Sequence, residues 1–311
     1  MKVFDVHTHA GGKNYSHNDA EYDSNVNEYN NKIKNLDDAR VEKTIAFAQP
    51  RPYEWLKNYN PTPSVNFESA NDKVAHDCEN YSGMLFAAFT DARDYKAGDE
   101  INRCIKKYDV KALKVHLGTH NTNPEHLNRN GIINCAGEHN LPIIMHASCE
   151  HFNELENIIK SNPDINVVIA HMGYLMNELT KIVKNYDNAY FDTSAFTHNN
   201  FKISIVSALL NEKSDLLKQI LSPYYEAKAL KLPFKVKTTQ DLVEWLLTDE
   251  IIKYSELIKT AVEFIGPEKI LFGSDEGWCP IMEQLEIIKN SPIKESDKEK
   301  IFYKNFETIM K

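Results

Sequence analysis

The residues that could do chemistry begin at the amino terminus, where Asp5-Val6-His7-Thr8-His9 follows Met1-Lys2-Val3-Phe4. Side chains alternate along a strand, so His7 and His9 face the same way, about 7 Å apart, within reach of a single ion. Taken alone, such a pair is equally compatible with two surface histidines at a strand end. Further polar residues stand where apolar runs stop. Lys114 and His116 close Ala112-Leu113-Lys114-Val115-His116, and His146 closes Pro142-Ile143-Ile144-Met145-His146. His171 follows Val167-Val168-Ile169-Ala170, Asp192 and Thr193 follow Tyr190-Phe191, and Asp275 follows Leu271-Phe272-Gly273-Ser274. Any one of them reads as a satisfied core histidine or a helix N-cap. Burying the whole set together costs several kcal/mol unless something compensates it, and a divalent cation would.

The elements that must position these residues are short apolar runs, as expected of parallel strands buried on both faces. Eight are expected, at 3–7, 44–48, 84–89, 112–116, 142–146, 166–171, 189–193 and 269–274. Segments with helical spacing lie between most of them, at 101–108, 125–139, 150–161 and 174–185, and a last amphipathic helix is expected over 296–310. Strand alternating with helix eight times is the pattern of a (β/α)8 TIM barrel, one domain over 1–311. Three connections are longer than a crossover needs: 10–32; 49–67, which carries Arg51 and Trp55 among four prolines; and 193–269. The last reads as a helical insertion, about 199–260, between strands seven and eight. All three leave the carboxyl ends of strands, the face on which barrel enzymes build their sites. Arg51 and Trp55 are expected to line the pocket.

The 311 residues are 42% hydrophobic and 26% charged, ordinary for a globular chain able to bury a sizeable core. The net charge of −9 argues against nucleic acid and anionic membrane surfaces as partners. No run reaches the length of a membrane span, and Met1 leads straight into a strand, so neither an anchor nor a secretory signal is expected. Five cysteines without a CxxC pair fit reduced thiols and a cytoplasmic location. Cys149 and Cys279, close after His146 and Asp275, read as buried or pocket-lining residues.

Motif order and spacing resemble the amidohydrolase superfamily, most closely the branch of the aminocarboxymuconate-semialdehyde decarboxylases and related small hydrolases. The resemblance rests on Asp5-Val6-His7-Thr8-His9, Pro142 to His146, Ala170-His171-Met172-Gly173, Tyr190-Phe191-Asp192-Thr193-Ser194 and Leu271 to Asp275. It implies that His7, His9, His146 and Asp275 are metal ligands and that His171 handles the proton of an activated water. The implied cofactor is zinc or another divalent cation, one per chain. Strand four departs from the two-metal relatives, which place a bridging carboxylated lysine or glutamate there. Lys114 sits instead in a Lys-Val-His setting like that of the one-metal branch, while His116 is open to three roles: a further ligand, a substrate contact or a support.

A divalent ion lowers the pKa of a water from 15.7 towards about 7. Asp275 or His171 would then move the proton. The ion, Arg51 or Lys114 would polarise a carbonyl, and Asp192 would orient a ligand histidine. The expected activity is hydrolysis of a carbon–nitrogen or ester bond in a small molecule. The alternative is a non-oxidative decarboxylase on the same scaffold, and a barrel that binds a metal and ligand without catalysis is a third reading. A homodimer is compatible with either enzyme.

Overall fold

The computed structural model describes residues 1–10, 34–48, 67–120, 122–147, 150–195 and 254–310. Eight parallel strands pair in chain order: β1 (Phe4–His9), β2 (Lys43–Phe47), β3 (Met84–Thr90), β4 (Val110–His116), β5 (Ile143–His146), β6 (Val167–Ile169), β7 (Ala189–Asp192) and β8 (Ile270–Leu271). The residues after β8 return to β1. Val6 N–H donates to the Phe272 carbonyl at 3.0 Å, Asp275 N–H to that of His7 at 2.8 Å, and His9 N–H to that of Glu276 at 3.0 Å. The result is the (β/α)8 barrel that the alternation of runs predicted. Arg51, Trp55, Cys149 and most of the 199–260 segment lie outside the described residues. The helix Tyr254–Ile265, which runs on past that segment, buries Leu257, Ile258, Ala261, Val262 and Ile265.

Strand identity follows from burial on both faces, where apolar side chains leave water at every position. The strands β5 (Ile-Ile-Met) and β6 (Val-Val-Ile) show this, each residue buried. The helices are one-sided. In Ala97–Lys107 the buried residues Ala97, Ile101 and Cys104 recur at helical spacing, with Asp99 and Glu100 in the first turn and Lys106 and Lys107 in the last, the charge order that suits the helix dipole.

Among the departures from the expected boundaries, three have a visible reason. The run 125–139 is two helices, Glu125–Arg129 and Ile132–Glu138, parted at Gly131, whose φ of 82° no helix accommodates. The expected helix start at 174 falls in a left-handed turn, and the helix begins at Asn177. Strand β8 stops after two residues because the Phe272 N–H leaves the sheet and donates to the Ile301 carbonyl at 2.8 Å. That carbonyl lies in a widened, π-type turn, Lys300–Lys304, between the helices Glu295–Glu299 and Asn305–Ile309. Asn305 Nδ2 adds a bond to the Ile270 carbonyl at 2.6 Å, so the terminal helices secure the short strand.

The β1–β8 seam has a polar staple. Asp5 Oδ1 accepts the N–H groups of His7 at 2.9 Å and Ser274 at 3.0 Å. Its Oδ2 accepts the hydroxyls of Thr8 at 2.8 Å and Ser274 at 2.6 Å. Thr44 Oγ1 donates to Thr8 Oγ1 at 2.7 Å and carries the network into β2. Beside it β1 spends one residue more than β2 between paired positions Asp5↔Thr44 and Thr8↔Ala46, a bulge that re-aims the histidines. Among the described residues no helix is long and apolar enough to cross a membrane. Replacing Asp5 by Ala strands four buried donors; Asp5→Ala is expected to lose about 2–4 kcal/mol of stability, read as a lower urea midpoint with unchanged slope.

Candidate active site

Strands β1, β4, β5, β6 and β7 and the segment after β8 bring the predicted polar residues to one mouth. His7 Nε2 lies 3.2 Å and His9 Nε2 3.1 Å from Asp275 Oδ1. Neither approach has hydrogen-bond geometry, and Asp275 Oδ1 and His9 Nδ1 are buried without a hydrogen-bond partner. Donor atoms that crowd together without bonding to one another are what a cation site requires. Two imidazoles and a carboxylate, with ligand atoms within 4.8 Å of one another, form a donor set that a divalent ion fits.

One carboxylate orients this cluster. Asp192 Oδ2 takes His7 Nδ1 at 2.8 Å, which leaves His7 Nε2 to face Asp275. Asp192 Oδ1 accepts the N–H of His171 at 2.9 Å, the N–H of Ser194 at 3.0 Å and the Ser194 hydroxyl in a short contact. Ser194 Oγ is also 2.8 Å from His171 Nδ1. Gly273 passes so close that an added Cβ would sit 3.1 Å from both Asp192 and His7, so a side chain there would push the orienting pair apart.

Around the cluster the other histidines form a continuous row. The His7 and His171 rings are 5.1 Å apart and those of His171 and His146 4.7 Å. His146 lies outside the three-donor cluster: its Nδ1 is 3.0 Å from His171 Nε2 and its Nε2 is 3.0 Å from Tyr174 Oη. His116 is buried and stacks on His146, with ring centroids 3.8 Å apart. Lys114 is fully enclosed, with Nζ 3.3 Å from His7 Nε2 and 4.4 Å from the centre of the Phe47 ring.

Burial sets the electrostatics. It pushes the pKa of His9 and of His171 down to about 4, and that of His146 well below the usual value. His7 is the exception: burial opposes its charge, as does Lys114, but Asp192 and Asp275 outweigh both and raise its pKa. Burial also lowers Lys114 to about 8. For Asp275 burial works upward, yet the close approach of the His7 and His9 rings holds its carboxyl well below the ordinary range.

The structure thus gathers His7, His9, Lys114, His116, His146, His171 and Asp275. Two contributors were not singled out from the sequence. Ser194 lies two places beyond Asp192, where a hydroxyl next to a strand-end carboxylate was the available signal. Tyr174 falls in a stretch whose spacing reads as helix.

A parallel barrel that collects imidazoles and a carboxylate at its carboxyl face defines a class of barrel enzyme whose residues can hold a divalent metal. The chain belongs to the amidohydrolase family, whose model matches residues 4–307. No curated protein sequence matches it. Among solved structures it is similar to 2,6-dihydroxybenzoate decarboxylase from Rhizobium, with 14% identity, a TM-score of 0.62, and coverage of 99% of this chain and 98% of that one. It is similar to a dihydroxybenzoic acid decarboxylase from Polaromonas with bound manganese and the inhibitor 2-nitroresorcinol, with 12% identity, a TM-score of 0.62, and coverage of 99% and 96%. It is also similar to 4-oxalomesaconate hydratase from Rhodopseudomonas palustris, with 12% identity, a TM-score of 0.62, and coverage of 99% and 95%.

Removing the charge that orients His7 tests the arrangement. Asp192→Asn is expected to fold, since the amide keeps the shape, but to bind divalent metal about 10–100-fold more weakly, measured by competition with a chelator.

Proposed function

We propose that the protein is a metal-dependent, non-oxidative decarboxylase of a small aromatic or vinylogous carboxylic acid. The observation that carries the reading is the convergence of His7, His9 and Asp275 beside His171, in a barrel that follows two decarboxylases over 99% of the chain. A divalent ion at that cluster would supply the positive charge that holds substrate oxygens and acidifies a nearby water. The side chains supply the rest. The carbon–carbon bond to the carboxylate breaks, carbon dioxide leaves, and the electron pair stays on the carbon it left. That carbon takes a proton that His171 passes on, its ring held by Ser194 and its backbone by Asp192. Lys114, buried among these groups, is a cation available to the substrate carboxylate, and Arg51 and Trp55 are assigned to the same substrate.

Hydrolysis of a carbon–nitrogen or ester bond is the second reading. The family's own description favours it, and so does the hydratase with the same fold, because both concern the handling of water. In that case His171 takes a proton from the attacking water instead of giving one to carbon. We assign His146 as a fourth ligand, zinc or manganese as the ion, and the cytoplasm as the location, with the free thiols among the described residues, Cys78, Cys104, Cys135 and Cys279, in keeping with that compartment.

Metal analysis of the chelator-free protein is expected to give about one divalent ion per chain. Aromatic carboxylates should release carbon dioxide stoichiometrically with product; turnover of lactones or amides without carbon dioxide would replace the first reading by the second. The roles of the two proton-handling candidates separate by mutation. Asp275→Ala should lose both metal and rate, whereas His171→Ala should keep its metal and lose about 10²–10⁴-fold in rate. A His171→Ala protein that loses metal as fully as His146→Ala would make His171 a ligand.

A further inference from the structure

Glu276, the residue after Asp275, is a buried carboxylate to which the proposed reaction gives no part. Both of its oxygens are taken by uncharged amides. Oε1 accepts an Asn35 Nδ2–H at 2.9 Å, from the helical turns at 34–38, and Oε2 accepts the Ile281 N–H at 2.8 Å. The second bond meets the first turn of the helix Ile281–Lys289, where Pro280 provides no side-chain cap. The positive end of a helix favours a carboxylate, which offsets the cost of burying a charge between neutral donors.

The backbone of Glu276 is tied to the metal-capable cluster. Its carbonyl accepts the His9 N–H at 3.0 Å, its N–H donates to Ser274 Oγ at 2.9 Å, and it faces Thr8 in a parallel bridge. Beside it Asp275 has a φ of 63°, in the left-handed region, which a residue other than glycine adopts rarely. Such a conformation persists where the surroundings over-determine it. The residue before Asp275 is held by Asp5, through the N–H and hydroxyl of Ser274. The residue after it is Glu276, whose side chain anchors the turn to two helices.

We infer that Glu276 is a positioning residue for the cluster: its carboxylate anchors the turn that carries Asp275 and so sets the place of Asp275 Oδ1 against His7 Nε2 and His9 Nε2. Without the anchor the left-handed residue relaxes, and its carboxylate moves out from between the two imidazoles. The inference rests on the proposed metal site. It adds a residue that neither touches the ion nor reacts, since both of its oxygens are turned to Asn35 and Ile281. The competing role is a helix cap whose loss lowers stability and leaves the cluster as it was.

Manganese(II) titrated alone into the metal-free full chain separates the two, with thermal midpoints measured alongside. Glu276→Ala should bind the ion about 10–100-fold more weakly, as is usual when a supporting partner of a ligand is lost. Asn35→Ala, which removes an exposed side chain and one of the two anchoring bonds, should weaken binding about 3–10-fold, the worth of one hydrogen bond. It carries the test if Glu276→Ala does not fold. Glu276→Gln should bind nearly as the unaltered protein does, because its oxygen can take the Ile281 N–H and its amide can donate to a turned Asn35. Asn71→Ala is the control for stability. It strands the N–H and carbonyl of Phe89 in β3 and should lower the midpoint without changing affinity. Lower midpoints with unchanged manganese affinity in Glu276→Ala and Asn35→Ala overturn the inference, since Glu276 is then a cap alone. An equal loss of affinity in Asn71→Ala also overturns it, because binding would then follow global stability. An unaltered protein that takes up no divalent ion overturns both this inference and the proposed function.

Discussion

The site is organised around the Asp192 carboxylate. It is the last residue of β7, fully buried, and both of its oxygens are committed. One oxygen fixes the His7 ring and so determines which nitrogen faces Asp275. The other gathers the backbone of His171 and the backbone and hydroxyl of Ser194, so the residue read as the proton handler is held by the same group as the first metal-capable histidine. A buried carboxylate with that many donors stays ionised despite desolvation, which would otherwise favour its neutral form. Its negative charge in turn raises the pKa of His7 above its neighbours'. Gly273 belongs to the same constraint, because a Cβ there would sit 3.1 Å from both Asp192 and His7, where the chain after β8 passes them.

The row of imidazoles poses an electrostatic problem that burial alone solves only partly. His9, His146 and His171 are driven towards the neutral state by desolvation, so at neutral pH they offer lone pairs rather than charge. Two of the buried polar atoms, His9 Nδ1 and Asp275 Oδ1, still lack a hydrogen-bond partner, a cost of about 1–3 kcal/mol for each. The five-residue left-handed turn adds roughly 1–2 kcal/mol for each residue other than glycine. A site that keeps unpaired atoms and a strained backbone is stabilised elsewhere. Here that support is visible in the Asp5 staple across the β1–β8 seam and in the terminal helices that hold Phe272 and Ile270.

How much of this is legible in the sequence depends on how local the cause is. The eight strands are legible because burial on both faces leaves an apolar run whatever the neighbours are, and each expected run coincides with a strand. The histidines and Asp275 are legible as a set because each interrupts such a run at its carboxyl end. What the sequence hides is set by partners far away along the chain. The brevity of β8 follows from a carbonyl some thirty residues later, in Ile301. The break near Gly131 and the left-handed turn after β6 override segments whose periodicity reads as continuous helix. Ser194 and Tyr174 are ordinary residues in their local context and acquire roles only when β7 and β6 lie side by side.

The same reasoning explains why the barrel does not by itself choose a reaction. Two decarboxylases and a hydratase share this fold with the chain at 12–14% identity, so the strands keep their places while most side chains differ. Decarboxylation, hydration and hydrolysis all need a positive centre to stabilise oxygen and a group to move one proton. They differ in whether that proton goes to carbon or comes from water, which depends on where the substrate places its reacting atom relative to His171. On the proposed reading the substrate lies against the buried polar residues of the mouth, Lys114 and His116 among them. Loops on that face change without disturbing the strand register that fixes His7, Asp192 and Asp275. On the proposed reading, therefore, a change of reaction in this fold follows from moving the substrate rather than from rebuilding the metal-capable cluster.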